Sequence, residues 1–140
     1  MNVEMLLKEL SDKLGFELKL SEYGTCAVRF DKDEVVFEKN GYRLFLIADL
    51  ADAGEVQEHV LRRFLEANHL GQEVGLGAIG LDKTRNIFVL HKILAGDMPY
   101  DVFEDELGMF VKAVRYWKEW LRQPDAEPKG TLHDISSMRV

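Results

Sequence analysis

One stripe of apolar side chains near the C-terminus is the clearest structural signal in the chain. Its members recur at alternating steps of three and four residues, the spacing that places side chains along one side of an α-helix. The pattern predicts a helix over residues 98–120, and its many aromatic members are typical of a helix packed across a sheet. Just before it, residues 76–82 and 86–94 have the pattern of two short strands joined by a tight turn. The members of the stripe are Tyr100, Phe103, Leu107, Phe110, Val114, Trp117 and Leu121.

The chain begins with a predicted helix that leads into strands. Apolar residues at helical spacing predict this helix over residues 3–14, and Gly15 is well placed to end it in a left-handed conformation. Apolar and polar residues then alternate over residues 16–20, which predicts a half-buried strand. Residues 25–30 alternate in the same way and either continue that strand or begin another.

A hairpin is predicted next. Residues 35–38 have the pattern of a strand, and Asn40 followed by Gly41 is a strong signal for a short hairpin turn. Residues 42–50 form the following strand. Their more continuously apolar character predicts a central place in the sheet.

The middle helix is predicted over residues 53–68. Asp52 followed by Glu55 resembles a capping box at its start, although the N-cap is Asp rather than Ser or Thr. The apolar side of this helix is broader than a simple stripe. We therefore expect it to make contacts on two flanks, one of them to another subunit.

These elements predict an α+β fold. The order is α-β-β-β-α-β-β-α, and strands joined by hairpins form an antiparallel, twisted, five-stranded sheet with three helices. A chain of 140 residues is expected to form one domain, which we place at residues 1–122. Residues 123–140 hold prolines, a glycine and many polar residues, and we expect a mobile C-terminal tail there.

The charge balance narrows the classes of partner. The formal net charge is −7 and the isoelectric point is near 5.1. An acidic surface argues against nucleic acids, which need a basic footprint, and against anionic membrane surfaces. It favours basic or amphipathic protein partners.

The single cysteine, Cys26, excludes an internal disulfide and a cysteine-based zinc site. The N-terminus lacks the basic and apolar regions of a signal peptide, and no apolar run is long enough to span a membrane. We therefore expect a cytoplasmic protein.

A glycine-rich motif is the first candidate for chemistry. Residues 75–80, Gly-Leu-Gly-Ala-Ile-Gly, match the G-x-G-x-x-G pattern of dinucleotide-binding loops. Such a loop must leave a strand and open a helix, whereas this one leaves a helix and opens a hairpin. A loop with room for close backbone approach is the simpler interpretation.

No other set of residues indicates catalysis. His59, His69, His91 and His133 lack the spacing of metal ligands on one helix face. The alternation around Cys26 predicts a buried thiol rather than a nucleophile. Acidic clusters fall in a turn and on the solvent side of a helix. We predict that the chain is not an enzyme and binds no metal and no cofactor.

The chain has more apolar positions than its predicted core requires. In addition, several of its segments resemble one family. In order and spacing the chain is similar to the class I type III secretion chaperones, the CesT or Tir-chaperone family of Gram-negative bacteria. The resemblance spans about residues 3–122. It is carried by residues 6–16, 24–31, 44–50, 64–68, 77–82, 88–92, 100–103 and 114–117.

The resemblance implies a homodimer that holds an unfolded N-terminal segment of a secreted effector and keeps it competent for secretion. The family's dimer contacts come largely from the middle helix and second hairpin, and its effector contacts from the first helix and the sheet. The implied partner-binding residues are Val3, Leu6, Leu10, Leu18, Val28, Phe30 and Val36. The implied dimer residues are Val60, Leu61, Phe64, Ile79 and Leu81.

Ordinary core packing is the alternative role for every one of these residues. The alternative function is a generic α+β protein-interaction or adaptor domain of the YbjN-like kind, without effector binding. A small hydrolase would need a cleft with a convergent acid or base, and the sequence shows no such set.

Overall fold

The computed structural model describes residues 1–123, and the tail predicted at 123–140 lies outside the described residues except for Gln123. The three helices and five strands follow in the predicted order. They are α1 (Val3–Leu14), β1 (Thr25–Phe30), β2 (Asp33–Asn40), β3 (Arg43–Asp52), α2 (Glu58–Asn68), β4 (Ala78–Asp82), β5 (Ile87–Ala95) and α3 (Tyr100–Arg122). Single 3-10 turns at Ala53–Glu55 and His69–Gly71 flank α2.

The strands form one antiparallel sheet in the order β1-β2-β3-β5-β4. The prediction of an α+β fold with a five-stranded antiparallel sheet and three helices is therefore confirmed. The strand predicted to be central, β3, lies in the middle. The β2–β3 hairpin turns through Gly41 and Tyr42, one residue beyond the predicted Asn-Gly pair, because Asn40 still pairs with Arg43.

The first helix begins and ends as its sequence predicts. The Asn2 side chain accepts a hydrogen bond from the Met5 amide at 2.9 Å and so satisfies one free donor of the first turn. At the other end Gly15 adopts φ 82°, a left-handed conformation that glycine reaches without a Cβ penalty.

Two local predictions are wrong. Residues 16–20 form no strand. Leu18 and Leu20 instead pack against the core from irregular backbone. The alternation of apolar and polar residues is therefore not enough to form a strand where no neighbouring strand is present. Asp52 caps the short 3-10 turn through the Gly54 amide at 2.8 Å, and α2 starts later, after Gln57, without a side-chain cap.

The glycine-rich loop has the structural role expected of it. A Cβ on Gly75 would lie 2.9 Å from the carbonyl oxygen of Met109 on α3, and one on Gly77 would lie 2.2 Å from that of His91. Both positions therefore require glycine, because other backbone segments approach them closely.

The three helices share one core on one face of the sheet. The predicted stripe of α3 points into it, with Phe103, Phe110, Val114 and Trp117 buried. The ring of Phe64 on α2 meets the rings of Trp117 and Phe88 edge-on, at centroid distances of 5.9 and 5.2 Å. Besides Phe88, the residues of β2, β3 and β5 that point to this side include Val35, Phe37, Leu44, Leu46, Ala48, Leu90, Lys92 and Leu94.

One of these inward residues is a lysine. The Lys92 ammonium forms an ion pair with Glu106 on α3 and donates a hydrogen bond to the Gly75 carbonyl at 2.8 Å. Its side chain is buried, so the charge depends on these two partners. The pair joins the loop after α2 to both the sheet and α3.

We expect Glu106→Gln to destabilise the chain, because it leaves the buried Lys92 ammonium without its counter-charge. The loss should be about 2–4 kcal/mol in the free energy of unfolding. Urea denaturation followed by tryptophan fluorescence would measure it. The matched control is the double variant Lys92→Met with Glu106→Leu, which removes both charges. It should be destabilised less than Glu106→Gln, by about 1–2 kcal/mol, because only the Gly75 carbonyl then loses its hydrogen-bond donor. Equal destabilisation by both variants would contradict the argument.

Candidate functional site

The side of the sheet that the helices leave uncovered is the first candidate site, and we call it the open face. The strand registers place Val36 opposite Ile47 and Ile47 opposite His91, all pointing away from the helices. Phe45 lies opposite Ile93 in the same way. Side chains of this kind on a solvent-facing sheet form an apolar floor that a partner can cover.

The open face is concave enough to form a groove. Its volume is about 770 Å³, within the usual range for sites that bind small molecules or side chains. Ile93 is 56% exposed and is the most exposed apolar residue of this floor. The apolar lining residues are Val36, Phe45, Ile47, Val89 and Ile93, and the ionisable ones are Glu34, Glu38, Asp49, Asp82, Arg85, His91 and Lys118. Lys92 also borders the groove, although its side chain points to the helix side of the sheet.

One end of the groove is closed by an arginine. The Arg85 guanidinium donates two hydrogen bonds to the carboxylate of Asp49, each 2.9 Å long, and a third to Asp82 at 2.8 Å. This guanidinium holds the pKa of Asp82 below its usual value. The β4–β5 turn is thereby fixed to β3, and the three charges neutralise one another in part.

The two edges of the sheet differ in their readiness to accept another strand. At β4 the amide side chain of Asn68 accepts from the Ile79 N–H at 2.8 Å and donates to the Ile79 carbonyl at 2.9 Å. This side chain occupies the two backbone groups that an added strand would use. The edge at β4 is therefore closed in its middle.

The edge at β1 is open along part of its length. Gly24 accepts a hydrogen bond from Lys39 at 2.8 Å, which starts the ladder to β2. In an antiparallel pair the inward and outward groups alternate, so Thr25, Ala27 and Arg29 direct their backbone groups outward. The Thr25 carbonyl already accepts from the Ser21 N–H, so Ala27 and Arg29 are the β1 residues whose outward backbone groups an added strand could use.

A second apolar surface lies on α2, the loop after it and β4. We call its members the leucine surface: Leu61, Leu65, Leu70, Leu76 and Leu81, all exposed. Leu65 and Leu70 are 73% and 77% exposed. Exposed leucines on adjacent elements are typical of a surface that another protein covers.

Two members of the leucine surface have unusual backbone conformations. Leu70 and Leu76 have φ values of 60° and 64°, in the left-handed region that costs a non-glycine residue about 1–2 kcal/mol. Strain of this size persists only where neighbouring contacts enforce it, and it concentrates at functional sites.

The structure separates the predicted partner-binding residues into three groups. Val3, Leu6, Leu10 and Val28 are buried in the core of the chain itself. Leu18 and Phe30 pack against that core and are partly exposed. Of the predicted set, Val36 lies on the open face; the apolar residues that sequence reasoning missed there are Phe45, Ile47, Val89 and Ile93.

The predicted dimer residues divide in the same way. Val60, Phe64 and Ile79 are buried in the core, whereas Leu61 and Leu81 are exposed on the leucine surface. Leu65, Leu70 and Leu76 were not predicted. Leu61 and Leu65 are four residues apart on α2, so a second apolar stripe beside the core stripe was the available signal.

The residues considered from the sequence for catalysis or metal binding form no common site among the described residues. Burial raises the pKa of the Cys26 thiol, which disfavours the reactive thiolate. Among residues 1–123 no cluster of three or more His, Cys, Asp and Glu side chains is arranged to hold a metal ion. His133 lies outside the described residues. None of the helices in this part of the chain is long and apolar enough to cross a membrane.

Solved structures share this fold. A chain of the ExsC–ExsE complex matches at 25% identity with a TM-score of 0.70, over 85% of this chain and 92% of that one. A chain of the HopA1–SchA chaperone–effector complex matches at 20% identity with a TM-score of 0.66, over 83% and 92%. The Yersinia pestis type III secretion chaperone SycH in complex with a fragment of YscM2 gives 24% identity and a TM-score of 0.61, over 81% and 97%.

Sequence comparison identifies the family. No curated protein matches the chain by sequence. The profile of one family does match, over residues 5–118, and this region contains all five strands, α2, nearly all of α1 and most of α3. The chain therefore belongs to the Tir chaperone protein (CesT) family.

Proposed function

We propose that this chain is a cytoplasmic type III secretion chaperone that acts as a homodimer. It binds the N-terminal chaperone-binding segment of a secreted effector in extended form and keeps that segment soluble and competent for secretion. The observation that carries the proposal is the uncovered apolar floor of the open face in a member of a chaperone family. Similar chains are found in complexes with other polypeptides, one of them a chaperone–effector complex.

The open face and the β1 edge suit an unfolded segment better than a folded domain. A strand added at Ala27 and Arg29 would gain main-chain hydrogen bonds that make little demand on sequence. The groove beside it would take apolar side chains from the same segment. Ordering an unfolded chain costs entropy, so a large apolar footprint is needed to hold it.

The leucine surface supports a two-fold dimer. In a symmetric dimer the same patch packs on its own copy, so it must be self-complementary. Leucines on α2 and β4 carry no charge that such pairing would oppose. A stable interface would bury at least about 1,000 Å² in total. Burial against a second copy would also remove Leu70 and Leu76 from water, which accounts for their exposure in the single chain.

The effector would be held without chemistry. No cofactor or metal is needed for binding an extended segment, and the proposal assigns none. The generic adaptor domain raised from the sequence gains no support from the family match.

We expect Leu65→Asp combined with Leu81→Asp to yield monomers. Each leucine buried in an interface contributes about 1.5–3 kcal/mol, and a buried carboxylate without a partner adds a penalty. The dimer dissociation constant should therefore rise by at least about 100-fold. Light scattering at high micromolar concentration would measure the mass. Val102→Asp, at an apolar position of α3 that is 41% exposed, is the matched control and should stay dimeric. A monomeric unaltered protein would overturn the proposed dimer.

We expect Ile93→Asp to weaken effector binding by at least about tenfold while leaving the fold and the dimer intact. Ile93 is exposed on the open face, so the carboxylate costs little until a partner covers it. The effector would first be identified by native pull-down and mass spectrometry, and its N-terminal segment then used for titration calorimetry. Val102→Asp again serves as the control. Undiminished binding by a folded Ile93→Asp protein would place the effector elsewhere.

A further inference from the structure

The open-face groove has an acidic wall along β2. Glu34 and Glu38 lie four residues apart on one strand and flank Val36, and all three line the groove. Side chains at this spacing point to the same side of a sheet, about 13 Å apart along the strand. The wall therefore runs beside the apolar floor formed by Phe45 and Ile93.

The cations of the groove are already engaged. Arg85 binds Asp49 and Asp82, as described above. Lys92 pairs with Glu106 on the far side of the sheet. The Lys118 ammonium lies 3.9 Å from a carboxylate oxygen of Asp33. None of these positive charges is directed at the acidic wall.

The two wall carboxylates, by contrast, have no partner in the part of the chain that the structure describes. Glu38 lies between Thr25 and Phe45 on the neighbouring strands, neither of which can neutralise it. Glu34 lies opposite Arg29, yet no ion pair forms between them. A segment that covers the groove would take both carboxylates out of water, which is costly unless it brings donors or cations.

We propose that the groove selects a cationic, amphipathic segment, whose apolar side chains cover Val36, Phe45 and Ile93 while its Lys or Arg side chains pair with Glu34 and Glu38. The inference rests on the proposed function and specifies its partner. The net charge of −7 adds long-range attraction for such a segment. An acidic segment with the same apolar pattern is rejected, because it would meet unpaired carboxylates.

The same charges argue against other occupants of the open face. A second copy of this chain would bring its own Glu34 and Glu38 against the wall if the two open faces met symmetrically. Nucleic acid would meet carboxylates where it needs cations. The leucine surface, with its five exposed leucines, remains the proposed place for self-association.

Selection from a displayed library of random 16-residue peptides on the full chain would test the proposal. We consider the library peptides that a soluble peptide from the same selection displaces from the chain. These peptides should carry Lys or Arg several-fold more often than Asp or Glu beside their apolar residues. A synthetic peptide from this set should bind more weakly at 300 mM than at 50 mM salt. Glu34→Gln and Glu38→Gln should each weaken its binding by about two- to fivefold at low salt. Asp105→Asn removes an exposed carboxylate from α3 and should have no effect.

The outcomes separate this inference from the proposed function. Peptides that require Ile93 but show neither a basic bias nor a dependence on Glu34 and Glu38 would overturn the acidic selection and leave the chaperone proposal standing. A failure to select any peptide whose binding Ile93→Asp abolishes would overturn both. Loss of the basic bias in selections on the doubly substituted Glu34→Gln, Glu38→Gln protein would support the inference directly.

Discussion

The packing of α3 against one face of the sheet is the interaction on which the rest of the structure depends. Trp117 lies at its centre: its indole N–H donates to the Glu73 carbonyl at 2.7 Å, and its ring meets those of Phe64, Tyr116 and Trp120. All three helices contribute to the same core on the same side. A two-layer domain of this kind leaves the second face of its sheet without a cover. The open face, where we propose that a partner binds, is thus a direct consequence of how the core is made.

The sequence predicted the elements well and the exposure of single residues poorly. The stripe of α3 was unambiguous because seven positions agree with one helical period. The open face was hidden because Phe45 and Ile47 lie in a strand that is apolar on both sides, and such a run resembles a strand buried on both faces. Leu6 and Leu10 show the converse. A stripe of leucines on a helix is compatible with either a core or a groove. Which of the two it forms depends on whether the stripe faces the sheet, and the sequence does not show this.

Two local sequence patterns gave wrong predictions of secondary structure. The Asp52 carboxylate caps the 3-10 turn at Ala53–Glu55. The prediction of a cap at Asp52 is therefore correct, but the element that it caps is the 3-10 turn and not α2. Residues 16–20 have strand alternation without a neighbouring strand to pair with. In both cases the missing information is the tertiary partner, which a single sequence does not contain.

The loop between α2 and β4 is held to the core by polar contacts and also carries part of the leucine surface. Three polar contacts hold it: Lys92 and Trp117 each donate to one of its carbonyls, and Arg63 forms an ion pair with Glu73. The Arg63 guanidinium also lies over the Trp117 ring, 5.0 Å from its centroid. These contacts fix the loop to the core of the chain.

That fixation bears on the strained leucines. Leu70 and Leu76 lie within the same loop, and the Leu76 N–H donates a hydrogen bond to the Gly71 carbonyl at 2.9 Å. A surface ordered before association has less entropy to lose when a second copy binds. The polar contacts of this loop therefore stabilise the core and would also keep the proposed interface ordered before a second copy binds.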